Sequence, residues 1–287
     1  MIKRIKTYFS YLYNYLKDVW FFIYTKKDLK LDFPFPPKPF YRLFKIVFWK
    51  RFFPHYRRRK KSEIKFSNIK EYWSKEQWKQ DDYLTWLVKT FEKQYPTVTS
   101  DFIFKKYYDL KTSKILEVGC GSGHSAACLL TYFINQSYIK KNSFDDLNHI
   151  EYVGMDLSEI RIKTANLFLP VYLNKFLNSI KLNFFAGDAK KLDFKDNYFD
   201  FCFIPSVFER VDDENIEEII KESCRVTKAG IFISDFYDQM PDGYPRSPEK
   251  LSKYFNKFGF KLSYSKENYV KTKKGEHCEI HILFESK

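Results

Sequence analysis

The segment Lys114-Ile-Leu-Glu-Val-Gly-Cys-Gly-Ser-Gly-His124 constrains this chain more than any other. An apolar run ends at Val118, glycines follow at alternate positions (Gly119, Gly121 and Gly123), and a helical pattern then begins. Glycine allows a tight turn and lets a ligand approach the backbone with no Cβ in the way. The helix after the turn presents free N–H groups and the positive end of its dipole. In a nucleotide site that end holds a phosphate. Here it suits the carboxylate of an amino acid, with Glu117 available to accept from an ammonium group. Taken alone, the glycines also fit an ordinary tight strand-to-helix turn.

Beyond the turn, strands and helices alternate regularly. Strands are predicted at Lys114–Val118, Tyr152–Asp156, Asn183–Ala186, Phe199–Ile204, Gly230–Asp235, Lys261–Val270 and Glu279–Glu285. Helices fit at 123–134, 158–178, 213–227 and 248–257, with a polar loop over 135–149. Such alternation predicts a parallel sheet covered on both faces. The last two strands follow one another across Lys273-Lys274-Gly275 and predict an antiparallel hairpin. Two acids stand where ligands of such sheets bind, at the carboxyl ends of strands. Asp156 ends the second strand and suits the two hydroxyls of a ribose. Asp188 follows the third and suits an exocyclic adenine amine. Each alone is also what a solvated loop or a helix cap would show.

Together these residues resemble the class I S-adenosylmethionine-dependent methyltransferase family, over about residues 110–287. ILEVGCGSG resembles the family's first motif, YVGMDLS its second-strand acidic motif, and FFAGDAKKLDFKDNYFDFCFIPSVFERV its third- and fourth-strand motifs. SPEKLSKYFNKFGF resembles the late helix and turn before the hairpin. The resemblance implies an α/β, Rossmann-like, doubly wound seven-stranded sheet, mostly parallel, with the last strand inserted antiparallel. It implies S-adenosyl-L-methionine as cofactor. Glu117, Gly119 and Gly121 would lie at its methionine part, Asp156 at the ribose, and Asp188 and Ala189 at the adenine, with Gly123 and Leu157 as further cofactor-binding residues. Pro205 and Ser206 would border the transferred methyl. Nicotinamide enzymes favour G-x-G-x-x-G, whereas this turn is G-x-G-x-G followed by His124, which disfavours that cofactor.

The acceptor side is less legible. Many relatives carry a histidine after the glutamate that follows strand four, and this chain has Phe208-Glu209-Arg210. Arginine does not serve as a base at neutral pH, so no base is carried over there. Glu209 and Asp235 remain as candidate catalytic carboxylates; the alternatives are that Glu209 solvates a helix start and that Asp235 caps a turn. His124 suits a helix cap, and His277 with His281 suits surface or satisfied core positions; no metal site is predicted. The loop Phe236–Ser247 is expected to cover the acceptor with a helical region at 68–94. Ile204-Pro-Ser-Val207 lacks the Asn/Asp-Pro-Pro-Tyr/Phe run of base N-methylating enzymes.

Charge divides the chain. Residues 1–61 hold 17 of the 50 basic residues and 3 of the 36 acidic ones, which leaves 33 of each in the remainder. The net charge of +14 therefore belongs to the N-terminal stretch. The expected organisation is a basic, aromatic, amphipathic helical extension over 1–64, then a methyltransferase domain over 65–287. The latter divides into a helical cap (65–110) and a core (111–287). Aromatic and basic residues interleaved in this way suit an anionic membrane surface. They also suit single-stranded RNA or packing against the catalytic domain or a sister subunit. The five cysteines are scattered without a CxxC pair, which fits reduced thiols in a cytoplasmic protein. Tyr8–Tyr24 is interrupted by polar residues and does not read as a spanning helix. The expected activity is methyl transfer to a small-molecule or lipid-associated acceptor at the inner membrane face. The alternatives are an RNA-directed enzyme and a non-catalytic partner of the same fold.

Overall fold

Short strands of the type FCFIP and IEYVGMD, largely apolar and rich in β-branched and aromatic residues, bury on both faces and so take the centre of a parallel sheet. The computed structural model describes Trp86, Thr90 and residues 113–141, 150–173, 180–236, 244, 246–272 and 275–286. The expected extension over 1–64, its boundary, the cap apart from Trp86 and Thr90, and residues 237–243 of the acceptor loop lie outside the described residues.

The strands are β1 (Ser113–Val118), β2 (Ile150–Asp156), β3 (Ile180–Ala186), β4 (Phe199–Pro205), β5 (Thr227–Phe236), β6 (Phe260–Thr272) and β7 (Gly275–Ser286). The helices are α1 (His124–Lys141), α2 (Glu159–Tyr172), α3 (Asp213–Val226) and α4 (Pro248–Lys257). The sheet order is β3-β2-β1-β4-β5-β7-β6. β1 to β5 run parallel, and β7 enters antiparallel between β5 and β6. The expected class and hairpin are what the structure has.

The strands β3, β5 and β7 begin three or four residues before the expected starts, and two helix ends differ more. α1 runs on to Lys141, into the stretch read as a polar loop. Composition misled there because a helix already nucleated and packed continues through polar residues. α2 ends at Tyr172, short of the expected 178, with Pro170 in its last turn. That proline takes one N–H out of the helix ladder.

Alternation along the strands divides the core. Ile115, Tyr152, Phe201, Phe203 and Phe232 face α1 and α2. Leu116, Val118, Val153, Cys202, Ile204 and Ile231 face the side covered by α3 and α4. α3 starts at Asp212, whose side chain accepts from Asn215 N; α4 starts at Ser247, which accepts from Lys250 N, with Pro248 next. Each cap contributes about 1 kcal/mol. All five cysteines are buried free thiols.

The chain leaves β1 toward β2 on one side, while β4 lies on the other. Ligands of open α/β sheets bind outside the carboxyl ends at that reversal.

Candidate active site

The glycine turn is built almost wholly from the protein's own bonds. The amides of Gly119 and Cys120 both donate to Met155 O, at 2.8 and 2.9 Å, and Gly123 N donates to Cys120 O at 3.0 Å. Gly121 N donates to Asp156 Oδ2 at 2.9 Å. Gly119, Gly121 and Gly123 have φ of 75°, 55° and 77°, a region L side chains rarely adopt. A protein group approaches each of these glycines. A β-carbon on Gly119 would lie 2.3 Å from Val207 Cγ2, on Gly121 2.4 Å from Arg161 Nη2, and on Gly123 3.2 Å from Ala165 Cβ. The glycines thus admit the β4 exit and α2 close to the turn.

Asp156 is buried at 7 % exposure. Its Oδ1 accepts from Ser158 N at 2.9 Å and its Oδ2 from Gly121 N, while Arg161 Nη1 stands 3.7 Å from Oδ2. One N–H on each oxygen leaves each with a further lone pair. The carboxylate is aligned by the protein and retains capacity for two hydroxyl donors. Leu157 beside it is half-buried. Pairing of β2 with β3 sets Asp156 against Ala186, and Gly187 N donates to Asp156 O at 3.0 Å. This brings Asp188 and the buried Ala189 to the same end; Asp188 Oδ1 accepts from Lys190 N at 3.1 Å. Glu117 is fully buried and accepts from Tyr152 Oη at 2.7 Å. The Cys120 thiol is pushed well up, by burial first and then by the charges of Glu117 and Asp156.

The second half of the site is the exit from β4. Pro205 ends the strand, and Ser206 takes a left-handed φ of 53° with its N–H donating to Ser234 O at 2.7 Å. For a serine this conformation costs of order 1 kcal/mol and is most often met at functional sites. It turns the chain so that Val207 seats against Gly119, which places Pro205 and Ser206 beside the glycine turn. A short 3₁₀ turn, Phe208–Arg210, comes next.

Glu209 is buried at 4 % exposure. Its Oε1 accepts from Arg210 Nε at 3.0 Å, and its Oε2 finds no hydrogen-bond partner among the described residues. Asp235 accepts from Glu209 N at 2.9 Å, so it caps the turn after β4 from the neighbouring strand. Arg246, 3 % exposed, carried no signal in the sequence. It donates to Phe208 O, to Val211 O at 2.7 Å and to Asp213 Oδ1 at 2.8 Å, and so staples the start of α4 to this turn.

Sequence reasoning also misses Arg161, Trp86 and Thr90. Arg161 had a signal, since the third residue after Ser158 falls on the first turn of α2. Trp86 and Thr90 had none, because they meet the turn from more than 30 residues away. His124 bonds Thr90 through Nδ1 at 2.8 Å and stacks on Trp86, contacts that dock it on the upstream segment. His281 is a fully buried core residue stacked on Phe232. Among the described residues no group of three or more His, Cys, Asp or Glu is placed to hold a metal ion.

Residues 116–234 match the family model described as a methyltransferase domain. The fold is similar to magnesium protoporphyrin IX methyltransferase from Synechocystis PCC 6803 with bound SAH. That match has a TM-score of 0.52 at 12% identity, over 73% of this chain and 89% of that one. A SAM-dependent methyltransferase from Methanosarcina mazei matches with a TM-score of 0.44 at 17% identity, over 64% of this chain and 96% of that one. No curated protein matches in sequence.

Proposed function

We propose that this chain, whose residues 116–234 match the methyltransferase-domain model, is a class I S-adenosylmethionine-dependent methyltransferase that methylates a small-molecule or lipid-associated acceptor. The observation that carries the cofactor assignment is the joint fixing of Gly121 and Asp156 at the reversal of the sheet. A carboxylate held by two main-chain amides fits the vicinal hydroxyls of a ribose. Asp188 and Ala189 then fall at the adenine, and Pro205 and Ser206 at the methyl. The bound cofactor supplies a sulfonium-activated methyl group.

The protein's own task is to align the acceptor and exclude water. Glu209 is the better placed of the two candidate carboxylates to accept a proton, because Asp235 is engaged on the Glu209 amide. A base is required only where the acceptor atom carries a proton that must leave. Membrane association rests on residues 1–61, whose excess of cations and aromatic rings suits an anionic lipid surface. Among the described residues no helix is long and apolar enough to cross a membrane.

Calorimetric titration with S-adenosylmethionine and with its demethylated product tests the cofactor assignment. Micromolar binding is expected, and no binding by folded protein sinks it. Transfer of radiolabel from the cofactor's methyl into a cell extract, with identification of the labelled product, then tests the acceptor class. Label recovered in RNA overturns the small-molecule reading.

A further inference from the structure

We propose that Trp86 and Thr90, which lie upstream of the matched domain, are positioning residues that lock the glycine turn in its ligand-ready shape. The inference rests on the cofactor reading above. A turn with glycine at every second position lacks the steric barriers that orient ordinary peptide units. Its peptide planes are held only by what they bond. The Ser122–Gly123 unit is held at both ends. Its N–H, from Gly123, donates to Cys120 O at 3.0 Å, and its C=O, from Ser122, accepts from Trp86 Nε1 at 2.6 Å. The first bond is internal to the turn and moves with it. The second ties the turn to an outside point, and a flip of this peptide would leave a buried indole N–H without its acceptor.

Trp86 is itself immobilised. It and Thr90 are both fully buried and in helical conformation. The Trp86 ring stacks on His124 at 5.4 Å and lies edge-on to Tyr172 at 5.7 Å, so it touches the first residue of α1 and the last of α2. Thr90 Oγ1 donates to Trp86 O at 3.0 Å and lies 2.8 Å from His124 Nδ1. A threonine has one hydroxyl proton. With that proton on the Trp86 carbonyl, the imidazole Nδ1 supplies the hydrogen of the second contact. The pair therefore sets the turn, the start of α1 and the end of α2 in one arrangement. α2 is the helix that begins just after Asp156 and carries Arg161. The two parts of the candidate cofactor site, turn and acid, share this upstream reference.

The test uses the full-length chain with Trp86→Phe, which keeps a ring and removes the N–H, and with Thr90→Val, which keeps shape and removes the hydroxyl. Binding of S-adenosylmethionine and of its demethylated product is read by calorimetry, and exchange of the Gly121 and Gly123 amides by NMR without cofactor. Loss of a buried hydrogen bond predicts about three- to thirtyfold weaker binding of both compounds. It also predicts faster exchange of both amides relative to the sheet. Unchanged affinity and unchanged relative exchange, with only a lower melting temperature, overturn the proposal. Should Trp86→Phe not fold, Thr90→Val carries the same comparison. Wild-type protein that binds neither compound defeats the cofactor reading itself. The exchange measurement needs no cofactor and still decides whether the lock exists.

Discussion

The main-chain N–H of Gly121 donates to Asp156 Oδ2 at 2.9 Å, so the glycine turn after β1 and the acid at the end of β2 are one unit. Asp156→Ala removes the proposed ribose acceptor and frees the turn together. A loss of about 1–3 kcal/mol in cofactor binding is expected, the scale of hydrogen bonds to a charged group. Asp156→Asn should fall between wild type and alanine, because one amide oxygen still accepts. Calorimetry with the demethylated cofactor checks both, and wild-type affinity in folded Asp156→Ala means the ribose is held elsewhere.

Gly119 is required twice over, by its φ of 75° and by Val207 Cγ2, which stands 2.3 Å from where a β-carbon would be. Gly119→Ala should destabilise the fold by about 2–4 kcal/mol, from overpacking and left-handed strain. Adding Val207→Ala should restore only the packing share and leave about 1–2 kcal/mol of backbone strain. Urea denaturation of the single and double variants measures this. Full recovery in the double variant would show that strain contributes nothing.

Glu209→Gln separates chemistry from binding. The isosteric amide keeps the buried shape, so cofactor affinity is expected to stay within about twofold while the Arg210 ion pair is lost. Methyl transfer should fall at least about tenfold if the carboxylate accepts a proton. Equal transfer rates for variant and wild type, measured by label incorporation, remove Glu209 from the chemistry.

Burial holds His281 down to about 4. Between its ordinary value and about 4 the unfolded chain binds a proton that the folded protein does not. Its contribution to stability is therefore full above about pH 6.5 and is lost as pH falls toward 4, up to roughly 3 kcal/mol. Glu279, with its carboxylate 3.7 Å from His281 Nε2, is raised by burial and opposes part of this, since its contribution is lost as pH rises. His281→Phe should flatten the acid side of a melting-temperature profile. An unchanged profile would place the acid sensitivity elsewhere.

Residues 63–287 without the basic stretch are expected to be near neutral and still to bind cofactor, since Trp86 and everything from Lys114 are retained. Full-length protein should sediment with anionic vesicles, less with neutral ones, and less as salt rises. The truncated form should not. Unfolding on truncation would show the aromatic stripes to be core, and RNA binding without vesicle binding would favour the nucleic-acid reading.

By itself the sequence determined the order and type of the elements from β1 to β7, because apolar period, glycine turns and caps such as Asp212 and Ser247 are local signals. It also determined which loops carry Gly121, Asp156 and Asp188, since a parallel α/β order sends every such loop to one end of the sheet. Tertiary structure alone decided what each of these residues touches. Arg161 over Gly121, Val207 against Gly119, Glu209 sealed under Asp235 and Trp86 on Ser122 are contacts between segments distant in the chain. No local pattern encodes them, because their energy comes from packing and hydrogen bonds that exist only once the layers have closed.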